Sequence, residues 1–407
     1  MHWYVLLFKR FEGEIMDKNQ KRFGIYVFLS TFSRDLIEVF IPVILYKFGY
    51  SLKEVILYYL IVNVFSLLIS YPFVAFSKKF NNKILSIIGV VAFLLVQILL
   101  NHMVHSITYI FAIAILYAIY RRGYWLSRRY YNLKIIKKDK ISSTYSIISI
   151  INQVGVIISA YCGSLILDYV SLNVLTAIAI ILFLISIIPL YKLEFKHEKN
   201  NSKLEVIKNI KKIPKRNLYL FGSYELINVV KFLFPLYLYI YVKNTYQTIG
   251  ILNLITNIAI ILFTYVYGKK LDTTKNNFLT LSILITVSIY FMKANIMGYI
   301  LVIISFLEGV ATKMYELTIS KEFYTLSKKF EYSNYNLIYE LIQNSFRSII
   351  VLILYVFNMD LRTMIFVTLF FILIGAFYRF KQLDIEDYEA RKDEIEKKQW
   401  KGKKIEE

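Results

Sequence analysis

Runs of about twenty apolar residues recur from one end of this chain to the other, the length of helix that crosses a membrane. A hydrocarbon core about 30 Å thick is spanned by roughly 20 residues rising 1.5 Å each. Lipid offers no partner to a backbone N–H or C=O, so runs of this kind must satisfy their own hydrogen bonds as helices. The spacing predicts spans near 23–46, 53–76, 84–101, 107–127, 142–167, 172–192, 217–242, 247–267, 277–293, 297–319, 334–357 and 362–381. A 407-residue chain that is 57% hydrophobic therefore has to be divided by spans and not by soluble cores. The expected fold is an all-α polytopic membrane protein of twelve transmembrane helices.

A net charge of +21 could point to nucleic acid, but the placement of the basic residues gives another reason for it. With the N-terminus on the cytoplasmic side, both tails and alternate loops collect the Lys and Arg. The opposite side carries only Lys47, Lys53, Lys243, Lys293 and Arg362. That asymmetry is the positive-inside rule, and it predicts both termini in the cytoplasm of a cytoplasmic-type (plasma) membrane. No soluble domain remains to bind nucleic acid. Residues 1–22 mix aromatic and charged side chains without an apolar core or a small-residue cleavage site, so no cleaved signal is expected. The lone Cys162 excludes a disulfide framework. His102 and His105 lie in a short external turn without a nearby carboxylate, so no metal is expected there. No paired nucleophile and base, and no glycine-rich phosphate loop, occurs at convincing spacing. The chain is not read as an enzyme and needs no cofactor.

The longest polar stretch between spans divides the chain into a cytoplasmic segment 1–22, a bundle 23–192, a linker 193–216, a bundle 217–381 and a charged tail 382–407. Leu204, Ile207 and Ile210 recur at helical spacing in the linker, which suits a surface helix or a solvated connection. The halves repeat at an offset of about 194. Phe40-Ile41-Pro42 matches Leu233-Phe234-Pro235, Asn63 matches Asn257, Asn81-Asn82 matches Asn276-Asn277, and Asn152-Gln153 faces Gln343-Asn344. Parallel six-helix repeats of this sort place a substrate site at the midplane between the halves.

Twelve spans in two such halves, over residues 23–381, resemble the major facilitator superfamily. Its loop signature is found in Gly268-Lys269-Lys270-Leu271-Asp272, whereas the first-half copy, Ala75 to Lys83, keeps only the basic residues. Gly155, Ser159, Ala160, Gly163 and Ser164 in span 5 are similar in spacing to the small-residue motif of proton-coupled drug antiporters, with Ala160 where that motif has Pro. The resemblance implies a monomeric transporter with spans 1, 4, 7 and 10 lining a cavity and 3, 6, 9 and 12 facing lipid. It also implies that Gly268 and Asp272 gate the conformational change.

Each Asp, Lys or Arg at mid-span costs about 2.5–3.5 kcal/mol and calls for a partner or a wet cavity. Arg34, Asp35 and Glu38 fall in span 1, Arg121 and Arg122 in span 4, Glu225 and Lys231 in span 7, Glu308, Lys313 and Glu316 in span 10, and Glu340 and Arg347 in span 11. Spans 3, 6, 9 and 12 have none in their interiors. Thr31, Arg34, Asp35 and Glu38 share a helix face, as do Tyr117, Tyr120, Arg121 and Tyr124, and Glu340, Gln343, Asn344 and Arg347. The candidate cavity residues are thus Arg34, Asp35, Glu38, Arg121, Glu225, Lys231, Glu308, Lys313, Glu340 and Arg347, with Arg122 packing or snorkelling to the interface. Glu38 either pairs with Lys231 across the cavity or with Arg34 on its own helix. Arg121, Lys231 and Lys313 would draw an anionic or zwitterionic substrate. Burial favours a neutral acid and a nearby base favours the carboxylate, so the glutamates are candidates for reversible protonation, Glu308 first and Asp35 second. The expected function is secondary active transport of a small organic solute, coupled to protons, with efflux preferred. Uptake of an anionic or zwitterionic nutrient, and a non-transporting sensor or scaffold of the same fold, stay open.

Overall fold

The computed structural model describes residues 18–136, 141–195, 204, 210–211, 213, 215–271, 278–296, 298–329 and 332–378. All regular structure among them is helical. Span 1 is broken. A helix Lys18–Asp35 gives way to a 3-10 turn Glu38–Phe40 and a second helix Ile41–Lys47. Pro42 favours the break, because it has no N–H to give to the carbonyl four residues earlier and instead starts the second segment, where that loss is free. Spans 2 to 6 are Leu52–Lys79, Asn82–Asn101, Ile107–Ile135, Ile141–Tyr169 and Leu172–Tyr191. Spans 7 to 12 are Lys215–Tyr241, Tyr246–Leu271, Phe278–Lys293, Ile300–Lys329, Tyr332–Phe357 and Leu361–Tyr378. Pro235, the repeat partner of Pro42, lies inside an unbroken span 7.

The helices form two six-helix bundles that pack alike. Span 1 against span 5 is repeated by 7 against 11, span 2 against 4 by 8 against 10, and span 3 against 4 by 9 against 10. Between the bundles, span 5 lies on span 8 and span 2 on span 11, an exchange that respects the same pseudo-symmetry. Small residues make the close approaches possible. A Cβ on Gly163 would collide with the Leu36 carbonyl at the break in span 1, and one on Gly250 would enter Ser164 of span 5. The span-5 motif is therefore a packing surface for spans 1 and 8.

Seven of the described helices are long and apolar enough to cross a membrane on composition alone: spans 2, 3, 5, 6, 8, 11 and 12. Spans 1, 4, 7 and 10 are not in that set because of their charges, and span 9 is apolar but short. Spans 3, 6, 9 and 12 turn exposed apolar rows outward, such as Ile84, Ile88, Val91, Leu95 and Ile98 on span 3. Lipid is the natural cover for such rows.

Candidate functional site

A cavity of about 500 Å³ lies between the bundles, lined from spans 1, 2, 4, 5, 7, 8, 10 and 11 and by Lys293 at the end of span 9. Where span 1 breaks, Arg34 serves two acids. Its Nε and Nη2 donate to the Asp35 carboxylate at 2.6 and 2.9 Å, and Nε lies 2.8 Å from Glu38. The Tyr117 hydroxyl also donates to Glu38. Of the two pairings open to Glu38, the local one is formed and the cross-cavity one to Lys231 is not.

Arg121 keeps most of its donors for the cavity, since its Nη1 donates only to Asn63 Oδ1, at 3.2 Å. Asn63 is held for this by giving its own Nδ2 to the Tyr59 carbonyl at 2.7 Å, and its repeat partner Asn257 bonds the Asn253 carbonyl in the same way. Lys231 is exposed to the cavity and makes no hydrogen bond or ion pair with any described residue. Glu225, by contrast, is occupied. It accepts from Asn228 at 2.8 Å and from Gln343, and Arg347 lies 3.5 Å away.

Three placements differ from expectation. Lys313 is buried off the cavity surface, giving its ammonium to Ser149 at 2.6 Å and Glu316 at 2.7 Å. Glu340 is likewise not on the cavity wall. It lies buried between Arg122 and Arg129, so Arg122 neither snorkels nor packs idly but joins the two halves. Arg129 also donates to Asn336 at 3.0 Å, and Asn132 to the Tyr324 hydroxyl at 2.9 Å. This set closes the cavity toward the lysine-rich end of the bundle. Glu308 pairs with Lys293, whose ammonium lies 4.2 Å from the Phe234 ring centre. The charge asymmetry of the sequence puts Lys293 on the external side, but span 9 carries it inward to a buried position.

Arg128, Arg129 and Lys293 are site residues that the sequence reading passed over. Arg128 follows Arg121, and Arg129 follows Arg122, by seven residues on the same helix faces, a signal cut off by ending span 4 at 127 when the helix runs on to Ile135. Arg128 donates to Tyr124, Asn152 and Thr31, all neutral oxygens, and packs over Trp125 at 5.1 Å. Gly268 lies near the end of span 8, and Asp272 lies outside the described residues.

The arrangement has a definite electrical character. Every carboxylate on the wall already has a cation or donor, while Arg121, Arg128 and Lys231 have no carboxylate partner among the described residues. A cavity lined by cations without a bridging carboxylate attracts anions. The opposite end is closed by aromatic contacts between the halves: Tyr59 stacks on Phe232 with centroids 3.9 Å apart and planes 5° apart, and Phe40 meets Tyr246 edge-on. Asp168 of span 5 also accepts from the Tyr246 and Gln247 N–H groups that open span 8.

The sequence profile described as Major Facilitator Superfamily matches residues 23–327. No curated protein matches the chain significantly. Among solved structures, a bacterial homologue of the iron transporter ferroportin in an outward-facing state is similar, with a TM-score of 0.65 at 14% identity over 89% of this chain and 99% of that one. A mutant of the nucleoside transporter NupG gives a TM-score of 0.63 at 12% identity over 89% of this chain and 98% of that one. At these identities the likeness concerns the fold.

Proposed function

Since the chain belongs to the Major Facilitator Superfamily and is a membrane transporter, we propose that it moves a small organic anion by alternating access, coupled to protons at Glu308. The observation that carries this reading is that Arg121, Arg128 and Lys231, on the wall of a cavity shared by both halves, form no salt bridge with a carboxylate among the described residues. An anion entering there supplies the missing partner, and the halves then rock about the seams of span 5 on span 8 and span 2 on span 11. The Arg122, Arg129 and Glu340 set breaks when the lysine-rich end opens.

Glu308 suits coupling because it holds a single buried cation beside the cavity. A proton taken by Glu308 cancels its hold on Lys293 and adds that ammonium to the positive field, so proton and anion occupancy favour each other. The side with the lysine-rich loops is read as cytoplasmic, both termini included, and the protein as acting alone in the plasma membrane. The span-5 pattern is the ground for export, whereas joint occupancy by a proton and an anion is the pattern of uptake, and the direction of proton movement in proteoliposomes decides between them. Gly268 and Asp272 are assigned to gating, for which Asp272→Asn should alter the balance of open states.

Proteoliposomes holding a pH dye, placed under an imposed gradient and given a panel of organic anions, cations and zwitterions, test this reading. Anion-triggered proton movement that disappears in Glu308→Gln is expected. Silence across the panel from folded protein would overturn coupled transport and favour a sensor or scaffold.

A further inference from the structure

The free cations of the cavity do not stand alone; a row of aromatic rings joins the helices that carry two of them. Tyr117 is one turn before Arg121 on span 4, and its ring centre lies 6.2 Å from that of Tyr58. Tyr58 in turn is stacked 6.3 Å from Phe232, the residue that follows Lys231 on span 7. All five line the cavity. One wall therefore presents a guanidinium from one half, an ammonium from the other, and aromatic rings between their helices.

We propose that this wall is a subsite for a small aromatic carboxylate, with the carboxylate between Arg121 and Lys231 and the ring laid on Tyr58, Tyr117 and Phe232. The proposal rests on the cavity being the transport site, and it narrows the substrate to one class. Arg121 offers a planar fork of donors of which one is spent, the geometry that fits two carboxylate oxygens, while Lys231 adds a mobile point charge. Arg34 serves both Asp35 and Glu38, so the two acids share one cation and leave negative charge beside Tyr117, which opposes a phosphate dianion more than a monocarboxylate. A carboxylate without a ring would leave the aromatic wall uncovered, and an amine would meet the two cations.

Radiolabelled benzoate, bound to the full-length protein in detergent, is the probe. Saturable binding is expected, displaced by other aromatic carboxylates, poorly by acetate or phenyl phosphate, and not by benzylamine. Arg121→Gln and Lys231→Gln should each weaken it about tenfold or more, the scale of losing one partner of a charged contact. Arg121→Lys, which keeps the charge and loses the fork, should fall between. Phe232→Ala should weaken benzoate by about three- to tenfold, the scale of one aromatic contact, and leave acetate unchanged, with Phe232→Tyr restoring it. Thermal melting of each variant establishes that it is folded. The subsite is overturned if folded wild-type protein binds no benzoate, if both glutamine variants bind it as wild type does, or if phenyl phosphate displaces it better than a carboxylate does. Proton-coupled flux of some other solute by the same preparation, without benzoate binding, would overturn the subsite and leave the transport reading standing.

Discussion

A buried carboxylate held by one lysine, as Glu308 is by Lys293, can exchange its partner for a proton with little else having to move. Lys293→Met should therefore mimic the loss of control more than the loss of the acid: pH-dependent anion transport becomes pH-independent across the range where wild type responds, as read by flux at stepped external pH. Outside the membrane, Asp360 accepts from the Thr363 hydroxyl at 2.5 Å and from the Thr363 and Arg362 N–H groups, capping span 12. The Thr363 hydroxyl, followed by these backbone bonds, holds its carboxyl below the usual aspartate range. A depressed pKa adds stability above the unfolded value near 4 and loses it as pH falls through the folded one. Asp360→Ala should cost about 1 kcal/mol at neutral pH by thermal melting, as N-cap losses do, and the difference from wild type should shrink below about pH 4. In the sequence, charge and helical period together mark Arg34 and Arg121, and charge alone marks Lys231; all three line the cavity. Lys293 escaped because its partner is on another span, which one helix's spacing cannot reveal.

Helices show the same division between what local chemistry states and what packing adds. The twelve spans follow from apolar length, but their ends do not, because span 4 carries Arg128, Arg129 and Asn132 beyond the apolar run into contacts that only the opposite half supplies. The break in span 1 was written in Pro42, yet Pro235 at the matching place bends nothing into two segments, so proline alone does not decide it. Close packing at the break is the added constraint. Gly163→Ala should put a methyl group against the Leu36 carbonyl and lower stability by about 1–3 kcal/mol, the scale of an overpacked core. Gly155→Ala, whose methyl would meet the Phe28 carbonyl at 3.1 Å, should cost less. Comparing the two melting temperatures in one detergent checks the ranking.

At the scale of the molecule, two pseudo-symmetric bundles share one cavity, and the contacts at its lysine-rich end decide which way it faces. The bundles were legible because a repeat leaves matching Asn and Pro positions at a constant offset. The closure was not, since Glu340 looks from its helix face like a cavity acid and becomes a latch only when span 4 is set opposite it. Removing one partner of a buried ion pair costs about 3–5 kcal/mol, enough to redistribute two states. In a Cys162→Ser background, Asn132→Cys should react several-fold faster with an aqueous maleimide when Glu340→Gln is added. The most direct test of rocking is the distance between spin labels at Ser77→Cys and Ser333→Cys, on opposite halves at the lysine-rich end, measured by pulsed electron resonance in nanodiscs. Alternating access predicts two distances whose weights change with pH and bound anion, and a longer one favoured by Glu340→Gln. A single distance, indifferent to pH, to solute and to that substitution, would contradict it.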